Sequence, residues 1–213
     1  MQTDFLIIGS GIAGLTFAIK TAQRFPEATI TLLTKASEDN ETNTKYAQGG
    51  IAVVDTEGDS FDKHIRDTLV AGDGLCNEDV VKIVVTEGPQ MVQEMIDWGT
   101  RFDKDEQGEY LRGKEGGHSD FRILHYKDIT GWEIERALLE EVKSFDNIRI
   151  FKNYFVVDII TQHHLGHLVT KSTPDITCYG VYALNKETNH IEKILCRVAL
   201  MATGGAALLS CCE

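Results

Sequence analysis

The sequence has few of the residues and runs that mark membrane, secreted or nucleic-acid-binding proteins. Near the start of the chain the apolar run Phe5–Ile8 is only four residues long, too short for a signal peptide, and no stretch approaches the ~18 apolar residues of a membrane span. Only three prolines occur in 213 residues, so no proline-rich linker divides the chain. The net charge is −12, which argues against binding to nucleic acid or anionic lipid. We therefore expect a soluble, cytoplasmic protein without a membrane or nucleic-acid partner.

Cysteine is also scarce, and its pattern excludes two further classes. The five cysteines are an odd number, widely scattered and without a C-x-x-C pair: Cys76, Cys178, Cys196, Cys211 and Cys212. We expect reduced thiols rather than a disulfide framework. The histidines of segment 163–167 do not share a face reliably, so we expect no metal site. The composition, 42% hydrophobic and 25% charged, is that of a folded globular chain.

The first chemical signal is a glycine-rich turn between an apolar strand and a helix. Asp4–Ile8 reads as a buried parallel strand, residues 15–24 as a helix ended by Pro26, and residues 29–33 as a second strand. Gly9–Gly14 fits the G-x-G-x-x-G pattern. In such a unit the first glycine permits the tight turn, the second lets the backbone approach a pyrophosphate, and the third allows close helix packing. The alternative is a strand–helix corner that binds no ligand.

The rest of the chain predicts a mixed α/β fold, with a Rossmann-like parallel sheet and an added β-rich segment. Residues 36–50 read as a long loop, and residues 100–127 as a loop with short strands. Helices are predicted at 61–71 with an apolar face of Phe61, Ile65 and Leu69, at 78–86 with Asn77 as cap, from Pro89 to Trp98, and at 130–144. β-rich runs follow at 148–151, 154–162, 176–184 and 191–202.

Three further motifs contain glycine where a backbone could lie flat against a ligand. They are Asn43–Gly50, which ends in paired glycines, the segment Glu115–Ser119, and Ala202–Gly205 after an apolar strand. A generic NAD site is disfavoured, because the acidic ribose partner expected about 20 residues beyond the glycines is replaced by Lys35. Glu38 could serve only if the loop bends back.

Taken in order, these motifs resemble the succinate dehydrogenase/fumarate reductase flavoprotein family, and within it the L-aspartate oxidases. The similarity covers about residues 3–206 and includes Gly9–Gly14, Leu33–Lys35, Tyr46–Ala52, Glu115–Ser119, Arg122–His125, Thr130-Gly131 and Ala202–Gly205. The resemblance implies that FAD is the cofactor. It implies contacts with the pyrophosphate, the adenosine and the flavin from Gly9, Ser10, Gly11, Ile12, Ala13, Gly14, Lys35, Asn43, Thr44, Lys45, Tyr46, Ala47, Gln48, Gly49, Gly50, Val157, Ala202, Thr203 and Gly204.

Two positions separate branches of this family. Asn43 stands where respiratory members often have a histidine that carries FAD covalently, so the resemblance implies non-covalent FAD. Glu115 stands where those members have an uncharged residue. By resemblance it orients the amino group of the substrate, and a buried carboxylate without a cationic partner would be costly. A solvated loop carboxylate is the alternative for Glu115.

The resemblance implies oxidation of L-aspartate to iminoaspartate, the first step of de novo NAD biosynthesis. Oxygen or fumarate would reoxidise the flavin, and quinolinate synthase is the implied pathway partner. Residues 1–206 would be the N-terminal part of the FAD-binding domain and 207–213 a divergent tail, with the capping and C-terminal helical domains absent. We therefore expect the 213-residue chain to be inactive alone. The alternatives are a soluble fumarate reductase or succinate dehydrogenase flavoprotein, a non-catalytic FAD-binding fragment, or a chain that folds poorly.

Overall fold

Nine strands, four α-helices and one 3-10 helix follow one another in residues 1–205, the part of the chain that the computed structural model describes. In chain order they are β1 (Gln2–Ile8), α1 (Ile12–Arg24), β2 (Ile30–Leu33), β3 (Ile51–Ala52), α2 (Phe61–Ala71), α3 (Glu78–Asp97), β4 (Arg112–Gly113), β5 (Ile123–Leu124), α4 (Thr130–Lys143), β6 (Ile148–Phe151), β7 (Tyr154–Ile160), the 3-10 helix Gln162–Leu165, β8 (Gly180–Asn185) and β9 (His190–Met201).

The chain divides into two compact units. The first unit contains Met1–Asn43 together with the chain from Leu139 onward, and the second contains Thr44–Leu138. The predicted divergent tail, with Cys211 and Cys212, lies outside the described residues. No helix within residues 1–205 is both long enough and apolar enough to cross a membrane.

A six-stranded sheet forms the centre of the first unit, in the order β6-β2-β1-β9-β8-β7. Its first four strands are parallel and its last three are antiparallel, so β9 belongs to both halves. Leu6 and Ile7 in β1 and Leu32 in β2 are fully buried, as continuous apolar runs in parallel strands predict. The predicted mixed α/β fold with a parallel sheet and a β-rich segment is confirmed.

The predicted strands and helices of this unit are confirmed with small shifts of their ends. The run predicted at 176–184 begins later, at Gly180, which has a φ of +147° that side chains rarely adopt. The helix predicted to Ser144 ends one residue earlier, at Lys143. Such differences at element ends are ordinary.

The second unit contains α2, α3 and a small antiparallel sheet in the order β3-β5-β4. The prediction of two helices separated near Pro89 is wrong, because α3 runs without a break from Glu78 to Asp97. A side chain before proline normally disfavours helical backbone, but Gly88 has no Cβ to collide with the proline ring. The predicted cap is confirmed, since the Asn77 side chain accepts hydrogen bonds from the backbone N–H groups of Asp79 and Val80.

Helix α2 has the predicted bounds, and Ile65 and Leu69 of its predicted apolar face are partly buried. The Ser60 side chain caps its start by accepting a hydrogen bond from the Lys63 backbone N–H. Phe61, predicted to face the core, is 40% exposed, whereas the polar His64 is buried. The reason lies in a polar cluster in the same unit, described below.

Candidate functional site

The turn that follows β1 can only be built from small residues. Gly9 has a φ of +114°, and a Cβ there would lie 2.2 Å from the carbonyl oxygen of Ala202. A Cβ at Gly14 would lie 2.0 Å from the carbonyl oxygen of Gly9, so α1 packs directly onto the turn. Larger residues at these two positions would displace the start of α1. The turn therefore presents the helix N-terminus at the carboxyl end of the parallel sheet, where folds of this kind bind ligands.

A buried hydroxyl in this turn lacks a partner. Ser10 is 2% exposed, and its Oγ makes no hydrogen bond to any residue in 1–205. Buried hydroxyls almost always form hydrogen bonds, so this one points to a ligand. The first turn of α1 contains no acidic residue, and no side chain caps it. Both features favour an anion such as a phosphate group.

The end of β9 lies beside the same turn. The backbone N–H of Ala202 donates to the Ile8 carbonyl at 2.9 Å, which places Ala202–Gly204 next to Gly9. Gly204 has a φ of +79°, and the nearest atom to a Cβ there would be Asn43 Nδ2, at 3.9 Å. The structure thus brings together three groups of residues that the sequence predicts to contact FAD.

The residues predicted on the adenosine side lie along the same unit. The Lys35 side chain is exposed, and its carbonyl accepts a hydrogen bond from Lys186 Nζ. Glu38, the alternative ribose partner, is exposed and lies 3.8 Å from Lys152 Nζ. Val157 lies in β7 where the register with β8 shifts, so it has no directly opposed residue in that ladder. Its assignment to the adenine remains a prediction.

In the second unit, Glu115 lies close to the paired glycines that end the 43–50 motif. A Cβ at Gly49 would find only Glu115 Oε1 within 4 Å, at 3.8 Å. The glutamate is exposed and forms no ion pair with a described residue. Gly50 packs against β5, where a Cβ would lie 2.2 Å from Ile123 Cγ2. The contacts of Gly49 and Gly50 with a ligand remain predictions, and the backbone at Gly49 is the more open of the two.

Segment 44–48 is fixed by the first turn of α4. The backbone N–H of Gly131 donates to the Ala47 carbonyl at 2.9 Å, and a Cβ at Gly131 would lie 1.9 Å from the Thr44 carbonyl oxygen. Within the segment, Lys45 Nζ lies 5.6 Å from the centre of the Tyr46 ring. Tyr46 and Gln48 are exposed. The Thr130-Gly131 motif therefore positions the predicted flavin-contacting segment, a role that the sequence did not reveal.

A buried ion-pair cluster holds the other end of the Glu115–Ser119 motif. Arg122, with no exposed side-chain surface, donates to both oxygens of buried Asp59 at 2.7 and 2.8 Å, and to Asp67 at 2.7 Å. Asp67 also accepts hydrogen bonds from the backbone N–H and hydroxyl of Ser119. Burial opposes ionisation of Asp67, but the Ser119 and Arg122 hydrogen bonds outweigh it and lower its pKa to about 2.

Two histidines adjoin this cluster. The rings of His64 and His118 lie 6.3 Å apart, nearly perpendicular. The Nδ1 atoms of both are buried without a hydrogen-bond partner among residues 1–205. Burial lowers the pKa of His64, and the positive charge of Arg122 lowers it further. His64 is therefore a neutral residue inside the fold at neutral pH.

The sequence did not predict the members of this cluster that belong to α2. Asp67 lies in α2, and its side chain is only 14% exposed. A second missed group is Glu133, fully buried and bound by Arg101 and Arg136. The only local signal for the first cluster is the spacing of His64 and Asp67, which places two polar groups on one helix face.

Comparison with known proteins gives consistent matches. Residues 4–211 match the family described as FAD binding domain. The chain is 45% identical over 203 residues to the chloroplastic L-aspartate oxidase 2-a of Nicotiana tabacum, covering 95% of this chain and 30% of that one. It is 37% identical over 211 residues to the L-aspartate oxidase of Vibrio cholerae, covering 97% and 38%. The chain thus spans about a third of the length of these relatives.

Solved structures give a similar result. A quinol fumarate reductase from E. coli matches with a TM-score of 0.85 and 32% identity, covering 97% of this chain and 33% of that one. Mycobacterium smegmatis Sdh1 matches with a TM-score of 0.81 and 25% identity, covering 96% and 34%. The matched regions include every motif on which the sequence interpretation depends.

Proposed function

The chain belongs to the family of FAD-binding domains, and on that premise we propose that it forms the nucleotide-binding part of an FAD-dependent L-aspartate oxidase. The predicted cofactor, FAD, is confirmed by the family and by the L-aspartate oxidase relatives. The chemistry is that of FAD-dependent oxidoreductases. The substrate, the activity and the residue roles given below are proposals.

The observation that carries FAD binding is the unpartnered Ser10 hydroxyl inside the glycine turn. Ser10 Oγ and the N-terminus of α1 would hold the pyrophosphate, and Gly9 and Gly14 permit the tight turn and close helix packing that present both groups. Lys35 and Val157 would contact the adenosine side. Asn43 cannot form a histidyl–flavin bond, so the cofactor is held without a covalent link.

The choice of L-aspartate depends on Glu115. When bound, FAD supplies the oxidant that accepts two electrons from the substrate. The protein must select an amino acid, and an α-ammonium requires an anionic partner. Glu115 is an ionisable carboxylate without an ion pair among the described residues, and Gly49 beside it leaves open space. It would therefore bind and orient the substrate ammonium.

A fumarate reductase or succinate dehydrogenase is the second candidate, favoured by 32% identity to the E. coli quinol fumarate reductase. Its dicarboxylate substrates have no ammonium, so Glu115 would face them without a partner. This charge mismatch is why we rank it second.

The location and the partners follow the same assignment. Oxygen or fumarate would reoxidise the flavin, and quinolinate synthase would use the product. The cytoplasmic location remains a prediction, since the Nicotiana tabacum relative is named as chloroplastic.

FAD binding is tested by replacing the buried hydroxyl. Ser10→Ala should weaken FAD binding about tenfold, the effect of one lost hydrogen bond of about 1.4 kcal/mol. The free energy of unfolding without FAD should not fall, because the unpartnered hydroxyl stabilises nothing. Ser172→Ala, in an exposed loop, is the matched control and should leave FAD binding unchanged. Equal FAD affinities of the Ser10 variant and the wild-type chain would contradict the assignment.

Substrate choice is tested on the FAD-bound chain by flavin absorbance. L-aspartate should perturb the spectrum more than succinate does, and Glu115→Gln should remove that difference while leaving FAD binding intact. A stronger response to succinate would favour the second candidate, and no response to either would leave a non-catalytic FAD-binding chain.

The absence of a covalent link to the flavin is tested by acid precipitation, which should release all flavin into the supernatant. We expect no turnover of aspartate by the 213-residue chain alone.

A further inference from the structure

Two cysteines from distant parts of the sequence lie side by side in the first unit. Cys178 precedes β8 and Cys196 lies in β9. The backbone N–H of Cys196 donates to the Tyr179 carbonyl at 3.0 Å, and the next pair along the ladder is Gly180 with Leu195. Cys178 is thus the sequence neighbour of the residue opposite Cys196. From a strand spacing of ~4.8 Å and a rise of ~3.3 Å, their Cα atoms are about 6 Å apart.

The irregular backbone at Gly180 allows the two thiols to lie on the same face of the sheet. In regular strands, Cys178 and Cys196 would point to opposite faces of the sheet. Gly180 interrupts that alternation with a φ of +147°, and the Cys178 thiol lies 3.7 Å from its carbonyl oxygen. Burial raises the pKa of the Cys196 thiol to about 11, and the adjacent Cys178 thiol raises it further. A separation of about 6 Å is within the range of natural disulfides.

We propose that Cys178 and Cys196 form a reversible disulfide when the protein meets hydrogen peroxide. The Cys178 sulfur attacks one peroxide oxygen, the O–O bond breaks, and a sulfenic acid and one water result. The Cys196 sulfur then attacks the sulfenic sulfur, the S–O bond breaks, and a second water leaves with the Cys196 proton. Two thiols are oxidised and one peroxide is reduced to two waters. In this sequence of steps Cys196 has the resolving role, and its thiol loses its proton as the sulfur attacks.

The third described cysteine, Cys76, lies in different surroundings from Cys178 and Cys196. Cys76 lies in the second unit, where its thiol is 3.7 Å from the Thr68 carbonyl oxygen. A disulfide between Cys178 and Cys196 would link the segment before β8 to β9, the strand that leads to Ala202–Gly204.

Trypsin places Cys76, Cys178 and Cys196 in three separate peptides, so peptide mapping tests the proposal on the full chain. Cys178 lies in the peptide Ser172–Lys186, Cys196 in Ile194–Arg197, Cys76 in Asp67–Lys82, and the last two cysteines beyond Arg197. The native protein is treated with peroxide, alkylated under denaturing conditions and digested. We expect a linked peptide of Ser172–Lys186 with Ile194–Arg197, which dithiothreitol resolves. Before peroxide, all five cysteines should be alkylated.

Controls separate proximity in the fold from general reactivity. Cys76→Ser should leave the linked peptide unchanged, and Cys178→Ser should abolish it while Cys196 remains open to alkylation. The same treatment in concentrated urea should lose the preference for this pair. The proposal is overturned if native protein gives no linked peptide, if Cys178 or Cys196 pairs mainly with another cysteine, or if the yield is the same in urea.

Discussion

The buried cation Arg122 gives the sharpest prediction, because the chain contains a matched exposed counterpart. Arg122 and Arg112 both make two-pronged ion pairs with an aspartate in the second unit. The side chains of Arg122 and Asp59 have no exposed surface, whereas those of Arg112 and Asp55 are 19% and 25% exposed. Replacing each arginine by glutamine therefore removes a two-pronged ion pair, from the interior at Arg122 and from a partly exposed position at Arg112.

The expected loss follows from burial. Arg122→Gln leaves two carboxylates in the interior without their cation, and removing one member of a buried pair costs about 3–5 kcal/mol. The pKa of Asp67, lowered from 3.8 to about 2, corresponds to about 2.5 kcal/mol of net stabilisation of its ionised form. Ser119 and Arg122 together supply that stabilisation. Arg112→Gln should cost only about 1 kcal/mol, since water can replace the lost contacts.

Urea unfolding followed by tryptophan fluorescence measures this difference, because Trp98 and Trp132 both belong to the second unit. The Asp67 contribution is present above pH 3.8 and is lost as the pH falls towards 2, because its folded pKa is the lower one. The difference in the free energy of unfolding between the wild-type chain and Arg122→Gln should therefore become smaller below pH 4. Equal losses for both arginines, or a gap independent of pH, would refute the reasoning. If Arg122→Gln fails to fold and Arg112→Gln folds, the loss of unfolding free energy at Arg122 lies at the upper end of the expected range.

Three further predictions concern the same unit. Burial opposes ionisation of Glu133, but Arg136 and Arg101 outweigh it and lower its pKa to about 2. In urea unfolding, Glu133→Gln should therefore lower the free energy of unfolding by about 3 kcal/mol at pH 7. The loss should shrink as the pH falls from 4.5 towards 2. Gly131→Ala should lower the melting temperature sharply, because its Cβ would lie 1.9 Å from the Thr44 carbonyl oxygen, whereas Gly116→Ala, in open space, should change it little. Asn77→Ala should cost about 1 kcal/mol in urea unfolding through the lost cap of α3, and no loss would contradict that cap.

Local patterns in the sequence were enough to predict the central sheet and the glycine turn. Strands such as β1 and β2 are short apolar runs, and Gly9 and Gly14 have spacing that few other turns share. The prediction from sequence was wrong where a neighbouring residue altered the usual effect of a residue on the backbone. Pro89 predicts a break in the helix, but α3 continues through it, and the absence of a Cβ at Gly88 removes one of the collisions that oppose helical backbone before proline.

Long-range ion pairs could not be predicted from local patterns. Arg122 and Asp59 are 63 residues apart, and no periodicity relates them. The buried Glu133 is equally hidden, since Arg101, one of its two partners, is 32 residues away. Gly50 shows a related limit, because the sequence indicated that a side chain there would collide but not that the collision would be with Ile123.

The pairing of β1 with β9 has a consequence for how the chain is made. Phe5 is aligned with Val198, so the innermost strand pair joins the two ends of a stretch of nearly 200 residues. At ribosomal rates of about 5–20 residues per second, β1 waits roughly 10–40 s before its second neighbour is synthesised. During that time the edge of β1 that will pair with β9 exposes unpaired backbone N–H and C=O groups to other nascent chains. We therefore expect this protein to require molecular chaperones more than its length suggests, and its yield to depend on their supply.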